Sequence, residues 1–368
     1  MNKKVMILVN HDLVIYNFRK ELVEELIDKG YDVTISSPEG NRLSYFEKIG
    51  CKIKILKMER KTKNPLKDLK LLLEYIKIIK QEVPDVVLTY TIKPNIYGGI
   101  AASILKVPYI SNITGLGTAV EKKGFLQKIT LNLYRIAFKN INKIYFQNEE
   151  NYNLFIKNKI GINKSTIIPG SGVNLKEYCL MEYPEGETIN FAFISRIMKE
   201  KGIEDYLEIA KYIKSKHPNT QFHVCGFCEE EYEEILKEYH LKEIINYHGM
   251  VRNIKNVLEN VHCVIHPSYY PEGISNILLE AAASGKPIIT TNRSGCKEVV
   301  SDGISGYLVE IKDRKTLIEK TEQFIDMNLN DKKEMGIQGR KLVESKFNRD
   351  IVVFEYMNTI NKIIRNNA

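Results

Sequence analysis

Short apolar, β-branched runs punctuate the chain from Lys4 onward and alternate with longer stretches in which apolar residues recur every three or four positions. The first pattern suits strands buried on both faces of a parallel sheet, and the second suits amphipathic helices covering those faces. In the first half, strands are expected near Lys4–Val9, Asp32–Ser36, Lys52–Leu56, Asp85–Thr89, Tyr109–Ile113, Lys143–Gln147 and Thr166–Ile168. Helices are expected between them over Tyr16–Asp28, Pro65–Gln81, Asn95–Leu105 and Phe125–Lys139. Residues 174–188 break the rhythm: they are polar, carry Pro184 and Gly186, and show no apolar period. They read as an interdomain linker.

The alternation restarts with strands near Ile189–Ile194, Gln221–Val224, Ile245–His248, Cys263–His266, Pro287–Thr290 and Tyr307–Val309. After Asp313 the pattern is helical throughout, ending in an amphipathic stretch over Arg349–Ile364 that could stay on its own domain or return to the first. The expected architecture is α/β: two Rossmann-like, doubly wound domains at residues 1–173 and 189–348, joined by the linker 174–188 and followed by a helix at 349–368.

Composition narrows the class. The 368 residues can bury two cores, and 43% hydrophobic with 27% charged residues excludes a disordered chain. No apolar run approaches the roughly 18 residues of a bilayer span. Only Val5–Val9 separates the charged start from Asn10, His11 and Asp12, too little for a secretory signal core, so a cytoplasmic location is expected. Six scattered cysteines fit reduced thiols, and Cys225-x-x-Cys228, with only His223 nearby, reads as a strand end and turn rather than a zinc or redox centre. A formal charge of +8 calls for an anionic partner without choosing among nucleic acid, phosphorylated small molecules and an acidic membrane face.

Two stretches carry chemistry. The first is Ser268-Tyr-Tyr-Pro-Glu-Gly-Ile-Ser-Asn-Ile-Leu-Leu-Glu-Ala-Ala-Ala-Ser-Gly-Lys-Pro287. It follows a strand, turns at Gly273, offers Ser275 as an N-cap, runs through helix formers and stops at Gly285. A helix N-terminus then sits at the carboxyl end of a parallel strand, where open α/β sheets bind ligands. Amides of Gly273, Ile274, Ser275 and Asn276 are expected to be exposed and to cradle phosphate. Glu272 and Glu280 flank that anion site, and carboxylates there suit sugar hydroxyls, which donate hydrogen bonds to them. The second stretch, Phe193-Ile-Ser-Arg-Ile-Met-Lys-Glu-Lys-Gly202, places Arg196 and Lys201 after another strand, where two cations can stabilise a departing diphosphate.

Glu272 and Glu280 in an ExxxxxxxE spacing, with upstream Arg196 and Lys201, resemble the signature of glycosyltransferase family 4, retaining enzymes of the GT-B fold. The resemblance extends over the whole chain, including the PGSGVN turn at Pro169–Asn174 and the HGMVRN turn at His248–Asn253. It implies two domains facing across a cleft, a nucleotide-sugar donor as substrate rather than cofactor, and UDP as the nucleotide with GDP as the alternative. It further implies that Arg196 and Lys201 hold the donor phosphates and Glu272 the hydroxyls of the transferred sugar. Ser195, Gly273, Ile274, Ser275 and Asn276 would also meet the donor, Glu280 would bind the ribose, and Met250, Val251 and Arg252 would line the base. No protein nucleophile is implied: a donor phosphate oxygen takes the acceptor's proton on the face the leaving group departs from.

The acceptor side matches the family less closely. The first loop reads Val9-Asn-His-Asp-Leu13, where many relatives have paired glycines, and Thr114 stands where many have histidine. His11, Tyr16, Asn17, Arg19 and Thr114 are the acceptor-side candidates, His11 either as a base or as a loop histidine touching substrate or solvent. None of the eleven aspartates forms a DxD pair, so a metal-free site is expected, with Arg196 and Lys201 in the ion's place.

Within Lys122–Lys143, Phe125, Leu126, Ile129, Leu133, Ile136 and Ala137 share one helical face beside Lys128, Arg135 and Lys139. That pattern fits either a helix lying on an anionic inner membrane surface or an ordinary helix packed on its sheet. With a second basic cluster at Lys57, Arg60, Lys61, Lys63, Lys67 and Lys70, it favours a polyprenyl-diphosphate-linked glycan acceptor and peripheral membrane association. A GT-B epimerase would show more carboxylates and histidines around the sugar. A nucleic-acid-binding protein would explain the charge but leave the Glu272 stretch unused, and no nucleic acid is expected as a partner.

Overall fold

The computed structural model describes residues 2–58, 64–117, 120 and 124–367. The basic-cluster members Arg60, Lys61 and Lys63, and Lys122, lie outside the described residues. The chain divides into two compact units. One comprises Met1–Ser171, Pro271–Gly273 and Asp350–Ala368, the other Gly172–Tyr270 and Ile274–Arg349.

The first unit holds a wholly parallel sheet of β1 (Lys4–Leu8), β2 (Asp32–Ser37), β3 (Lys52–Ile55), β4 (Val86–Tyr90), β5 (Tyr109–Ile113), β6 (Lys143–Phe146) and β7 (Ser165–Ile167). Their spatial order is β3-β2-β1-β4-β5-β6-β7, which reverses direction between β1 and β4. Alternate residues of β1 feed opposite cores: Val5 and Ile7 face one cluster, Met6 and Leu8 the other. Burial on both faces is why β1 reads as an unbroken apolar run.

Helix α1 (Asp12–Asp28) begins four residues before the expected Tyr16, because His11 Nδ1 accepts the Leu13 N–H at 3.2 Å and serves as the cap. The expected single helix over Asn95–Leu105 is a π-helical turn at Pro94–Gly98 followed by α4 (Gly99–Ile104). Asn95 is buried in that turn, where its amide bridges Thr89 Oγ1 and the Asn112 carbonyl. The remaining helices of the unit are α2 (Leu43–Lys48), α3 (Pro65–Glu82), α5 (Phe125–Ala137) and α6 (Glu149–Lys157).

The second unit repeats the scheme with β8 (Ile189–Ile194), β9 (Thr220–Cys225), β10 (Asn246–Gly249), β11 (Cys263–His266), β12 (Ile288–Thr291) and β13 (Gly306–Val309), in the order β10-β9-β8-β11-β12-β13. Helices α7 (Ile203–Lys216), α8 (Glu233–Leu241), α9 (Ile254–Glu259), α10 (Asn276–Ala283), α11 (Arg314–Asp326) and α12 (Leu329–Lys346) complete it. Residues 174–188 lie along this unit: Met181 N–H donates to the Ser284 carbonyl and Tyr183 Oη to the His262 carbonyl. All but the first residue of α13 (Arg349–Asn367) belongs to the first unit, where Val352, Tyr356, Ile360 and Ile364 join the β1 core. The final helix thus returns to the first sheet.

Candidate active site

In the second unit, three loops leave the carboxyl ends of β8, β9 and β10 and are tied together by their backbones. Ser195 N–H donates to Cys225 O at 3.0 Å, and Gly226 N–H to Gly249 O at 2.8 Å. Gly226 has φ +152°, and a Cβ there would lie 1.7 Å from the Ser195 carbonyl oxygen, so only glycine allows this approach. Arg196 emerges from the first loop, pairs with the Glu229 carboxylate, and stands 5.0 Å from the centre of the Tyr270 ring. Burial opposes its charge, but Tyr270 and Glu229 more than offset this, and its pKa is raised.

Lys201 ends a 3₁₀ turn and is followed by Gly202 in the left-handed region at φ +81°, where a Cβ would meet the Pro267 carbonyl at 2.3 Å. Lys201 is only 5% exposed, and its Nζ lies 5.2 Å from the centre of the same Tyr270 ring. The Tyr269 N–H anchors that aromatic segment to the Glu200 carbonyl at 2.9 Å. The structure therefore brings Arg196 and Lys201 together over one ring, the geometry of a paired cation–π site. Tyr270 and Glu229 carry no role in the sequence reading; an aromatic beside the Glu272 motif is the one available signal. Such a pair gives a compact concentration of positive charge suited to a diphosphate.

Beside these loops, Met250 is 70% exposed, Arg252 is exposed and Val251 is half-buried on the turn after β10. Next to them His223 Nδ1 and His248 Nε2 are 2.9 Å apart with their rings stacked. Burial first, and then His248, pushes the His223 pKa down to about 4, so this pair is neutral near pH 7. Sequence pattern alone does not reveal it, because the residues meet across neighbouring strands.

The phosphate cradle differs from expectation. Gly273, Ile274 and Ser275 are buried rather than exposed. Gly273 N–H donates to the Thr114 carbonyl at 3.1 Å and Ser275 N–H to the Gly295 carbonyl at 2.7 Å. Two of the four proposed amides are thus already engaged, because buried backbone donors take internal partners. Ser275 occupies the N-cap position of α10 but makes no side-chain capping bond. Asn276 Oδ1, in the first turn, is an acceptor without a partner among the described residues.

One turn later stands half-buried Glu280. Burial is the dominant influence on its carboxyl and pushes it up to about 7; Arg349 pulls the pKa down, Glu177 raises it, and a hydrogen bond from Tyr178 lowers it. Asn276 and Glu280, four residues apart on one helical face, present two acceptors suited to hydroxyl groups.

Glu272 belongs with Gly273 to the first unit. There the turn rests on the loops after β5 and β6, where Thr114 and Asn148 meet it. Of the acceptor-side candidates, His11 is partly exposed with Nδ1 2.7 Å from the carboxylate of buried Asp12, which accepts the Leu13 N–H at 2.8 Å and the Arg42 N–H at 3.0 Å. Asp12 carries no role in the sequence reading. Asn17 is exposed, and Tyr16 packs edge-on against Tyr45 with its ring centre 4.8 Å from the Arg42 guanidinium.

Arg19 does not fit the acceptor role. It is 2% exposed, donates to the Phe18 carbonyl at 2.5 Å, and lies 4.9 Å from the Tyr90 ring centre, beside Tyr356. Its position on the inner face of α1, not its charge, decides that. Tyr16, Asn17 and Arg19 stand in the second turn of α1 and do not open the helix.

Residues 4–148 match the family described as "Glycosyl transferase 4-like" and residues 183–342 that described as "Glycosyl transferases group 1". The chain is a glycosyltransferase of the GT-B fold, with one domain similar to each of these two families. Among its relatives is an N,N'-diacetylbacillosaminyl-diphospho-undecaprenol alpha-1,3-N-acetylgalactosaminyltransferase of Campylobacter jejuni, 26% identical over 96% of both chains. Another is the capsular polysaccharide biosynthesis glycosyltransferase CapM of Staphylococcus aureus, 29% identical over 99% of this chain and 98% of that one. The fold is shared with Anabaena HepE, solved with UDP and glucose, at TM-score 0.81 and 15% identity over 98% of this chain and all of the other. Among the described residues no helix is long and apolar enough to cross a membrane.

Proposed function

We propose that this enzyme moves a hexose or N-acetylhexosamine from a UDP-sugar, with retention of configuration and without a metal, to a sugar carried on a polyprenyl diphosphate in surface-polysaccharide or glycan assembly. The observation that carries the reading is the convergence of Arg196 and Lys201 on Tyr270, a concentration of positive charge where a nucleotide diphosphate would depart. Full-length similarity to an undecaprenol-diphosphate-sugar transferase and to a capsular enzyme supports the acceptor class. HepE's complex with UDP and glucose supports the donor class.

In this mechanism Arg196 and Lys201 stabilise charge growing on the leaving diphosphate, Glu272 holds hydroxyls of the transferred sugar, and Glu280 with Asn276 meets the ribose. The Met250–Arg252 turn lies against the base. A donor phosphate oxygen takes the acceptor proton, so attack and departure share one face and configuration is kept.

The membrane face of the acceptor unit is α5 together with α3. Helix α5 uses Leu131, Tyr134 and Ala137 to pack on its sheet, yet leaves Phe125 81% exposed and Leu126, Ile129 and Ile136 open beside Lys128 and Arg135. Ala137 belongs to the packed face, and the exposed apolar residues support the membrane reading for the other. Helix α3 adds exposed Leu66, Leu69 and Leu73 next to Lys67 and Lys70. Apolar side chains flanked by lysines match an anionic bilayer surface.

A thermal-shift series with UDP, GDP, ADP and their sugar conjugates in EDTA tests the donor. The expected result is a shift with the UDP family, followed by transfer of label to a polyprenyl-diphosphate-linked N-acetylhexosamine. A shift only with added divalent ion would overturn the metal-free reading, and no shift with any nucleotide sugar would overturn the donor assignment.

A further inference from the structure

The side chain of Asn148, at the carboxyl end of β6, holds the turn that carries Glu272. Asn148 is 3% exposed. Its Nδ2 donates to the Glu272 carbonyl at 2.9 Å and to the Gly273 carbonyl at 2.8 Å, while its Oδ1 accepts the Asn151 N–H at 3.0 Å and caps α6. The assignment of nitrogen and oxygen is fixed by chemistry, since one end faces two carbonyls and the other an N–H.

The surrounding fit is close on every side. Gly273 N–H returns a hydrogen bond to Thr114 O, and a Cβ on Gly273 would lie 2.0 Å from Gln147 Oε1. Gly115, at φ +138°, comes so near that its Cβ would stand 3.3 Å from Glu272 Cα. The carbonyls of Glu272 and Gly273 are thus fixed by one buried amide, and the Gly273 N–H by the Thr114 carbonyl.

From this geometry we infer that Asn148 is a positioning residue for the transfer step, setting where the Glu272 carboxylate stands against the transferred sugar. The inference rests on the proposed role of Glu272. It makes the placement of that carboxylate a property of the β5 and β6 loops of the first unit, and not only of the motif that contains it. Misplacing a reacting group by about 1 Å can cost about 10²-fold in rate.

Two substitutions separate this role from the helix cap. Asn148→Ser and Asn148→Asp both keep a capping oxygen. Serine lacks the amide donor, and aspartate sets a carboxylate oxygen against the two carbonyls. The full-length variants are compared by hydrogen exchange of peptides covering residues 270–277 and 149–157, and by turnover of UDP-N-acetylglucosamine and UDP-galactose. The expected result is about tenfold faster exchange over 270–277 with 149–157 unchanged, the scale of losing a hydrogen bond of about 1 kcal/mol. Turnover should fall about 10²-fold with donor KM within about twofold, and further in Asn148→Asp than in Asn148→Ser.

Wild-type protection over 270–277 in both variants would overturn the contact, and loosened exchange with wild-type turnover would overturn the positioning role. If the wild-type protein turns over neither sugar nucleotide, the proposed donor fails. Unchanged exchange would then still overturn the inference, while faster exchange confined to 270–277 would support its structural half.

Discussion

The carboxyl ends of the two sheets are built from different materials. In the second unit the loops after β8 and β9 carry side-chain charge: Arg196 and Lys201 converge on the Tyr270 ring after β11, with Glu229 in support. In the first unit the ends of β5 and β6 hold the Glu272 turn through amides and carbonyls, and the His11–Asp12 pair stands apart from them after β1. A leaving diphosphate is stabilised by charge wherever that charge is placed nearby, whereas holding one carboxylate against a sugar is a matter of position. The first task tolerates loop geometry set by a few glycines, and the second requires directional hydrogen bonds.

The largest effect expected from this contrast is on the charged side. Arg196→Ala or Lys201→Met should lower turnover by roughly 10²–10³-fold in a steady-state assay. Methionine is chosen at position 201 because the lysine is buried and its volume should be kept. Wild-type rates in both would break the comparison by removing the need for charge.

A smaller effect is expected on the surface of the acceptor unit. Phe125→Asp and Leu66→Asp change residues 81% and 78% exposed, so folding should be preserved. Burying a large apolar side chain contributes roughly 1.5–3 kcal/mol, so each variant should lose about tenfold or more in sedimentation with anionic vesicles. Equal sedimentation of the wild type with neutral vesicles would remove the role of the lysines.

Glu280 sharpens the second-unit half through pH. Burial, partly offset by Arg349, moves its pKa up from 4.5 to about 7. The unfolded chain loses this proton near pH 4.5 and the folded protein near pH 7, so the group's contribution is full below pH 4.5 and is lost as pH rises to about 7. Glu280→Gln should flatten that part of the Tm–pH curve. It should also abolish a rise in donor affinity across pH 7, since the carboxylate is the better hydroxyl acceptor. An unchanged curve by calorimetry would remove Glu280 as its source.

The smallest expected change is at Tyr270. Tyr270→Phe keeps the ring and gives up only the hydroxyl's hydrogen bond with Arg196, so Tyr270→Leu should be less stable than Tyr270→Phe by about 1 kcal/mol, the scale of the lost cation–π contacts. Equal stability of both variants in denaturant titrations would show that the ring does not hold the two cations.

The sequence by itself determined the strands, because parallel strands buried on both faces read as apolar runs. It also placed the Arg196–Lys201 motif after β8 and the Glu272–Glu280 motif across the start of α10, because the course of a strand–loop–helix segment is written locally. Tertiary structure alone decided which atoms of those motifs are already engaged. The Gly273 and Ser275 amides are engaged by Thr114 and Gly295, residues distant in sequence, and Asn148 reaches Glu272 across 124 positions. The same holds for Arg19, turned inward among Tyr90 and Tyr356, and for α5, where periodicity named an apolar face but not which apolar residues the sheet would cover. Periodicity reports local phase, whereas hydrogen-bond satisfaction and burial are settled by whatever the rest of the chain brings alongside.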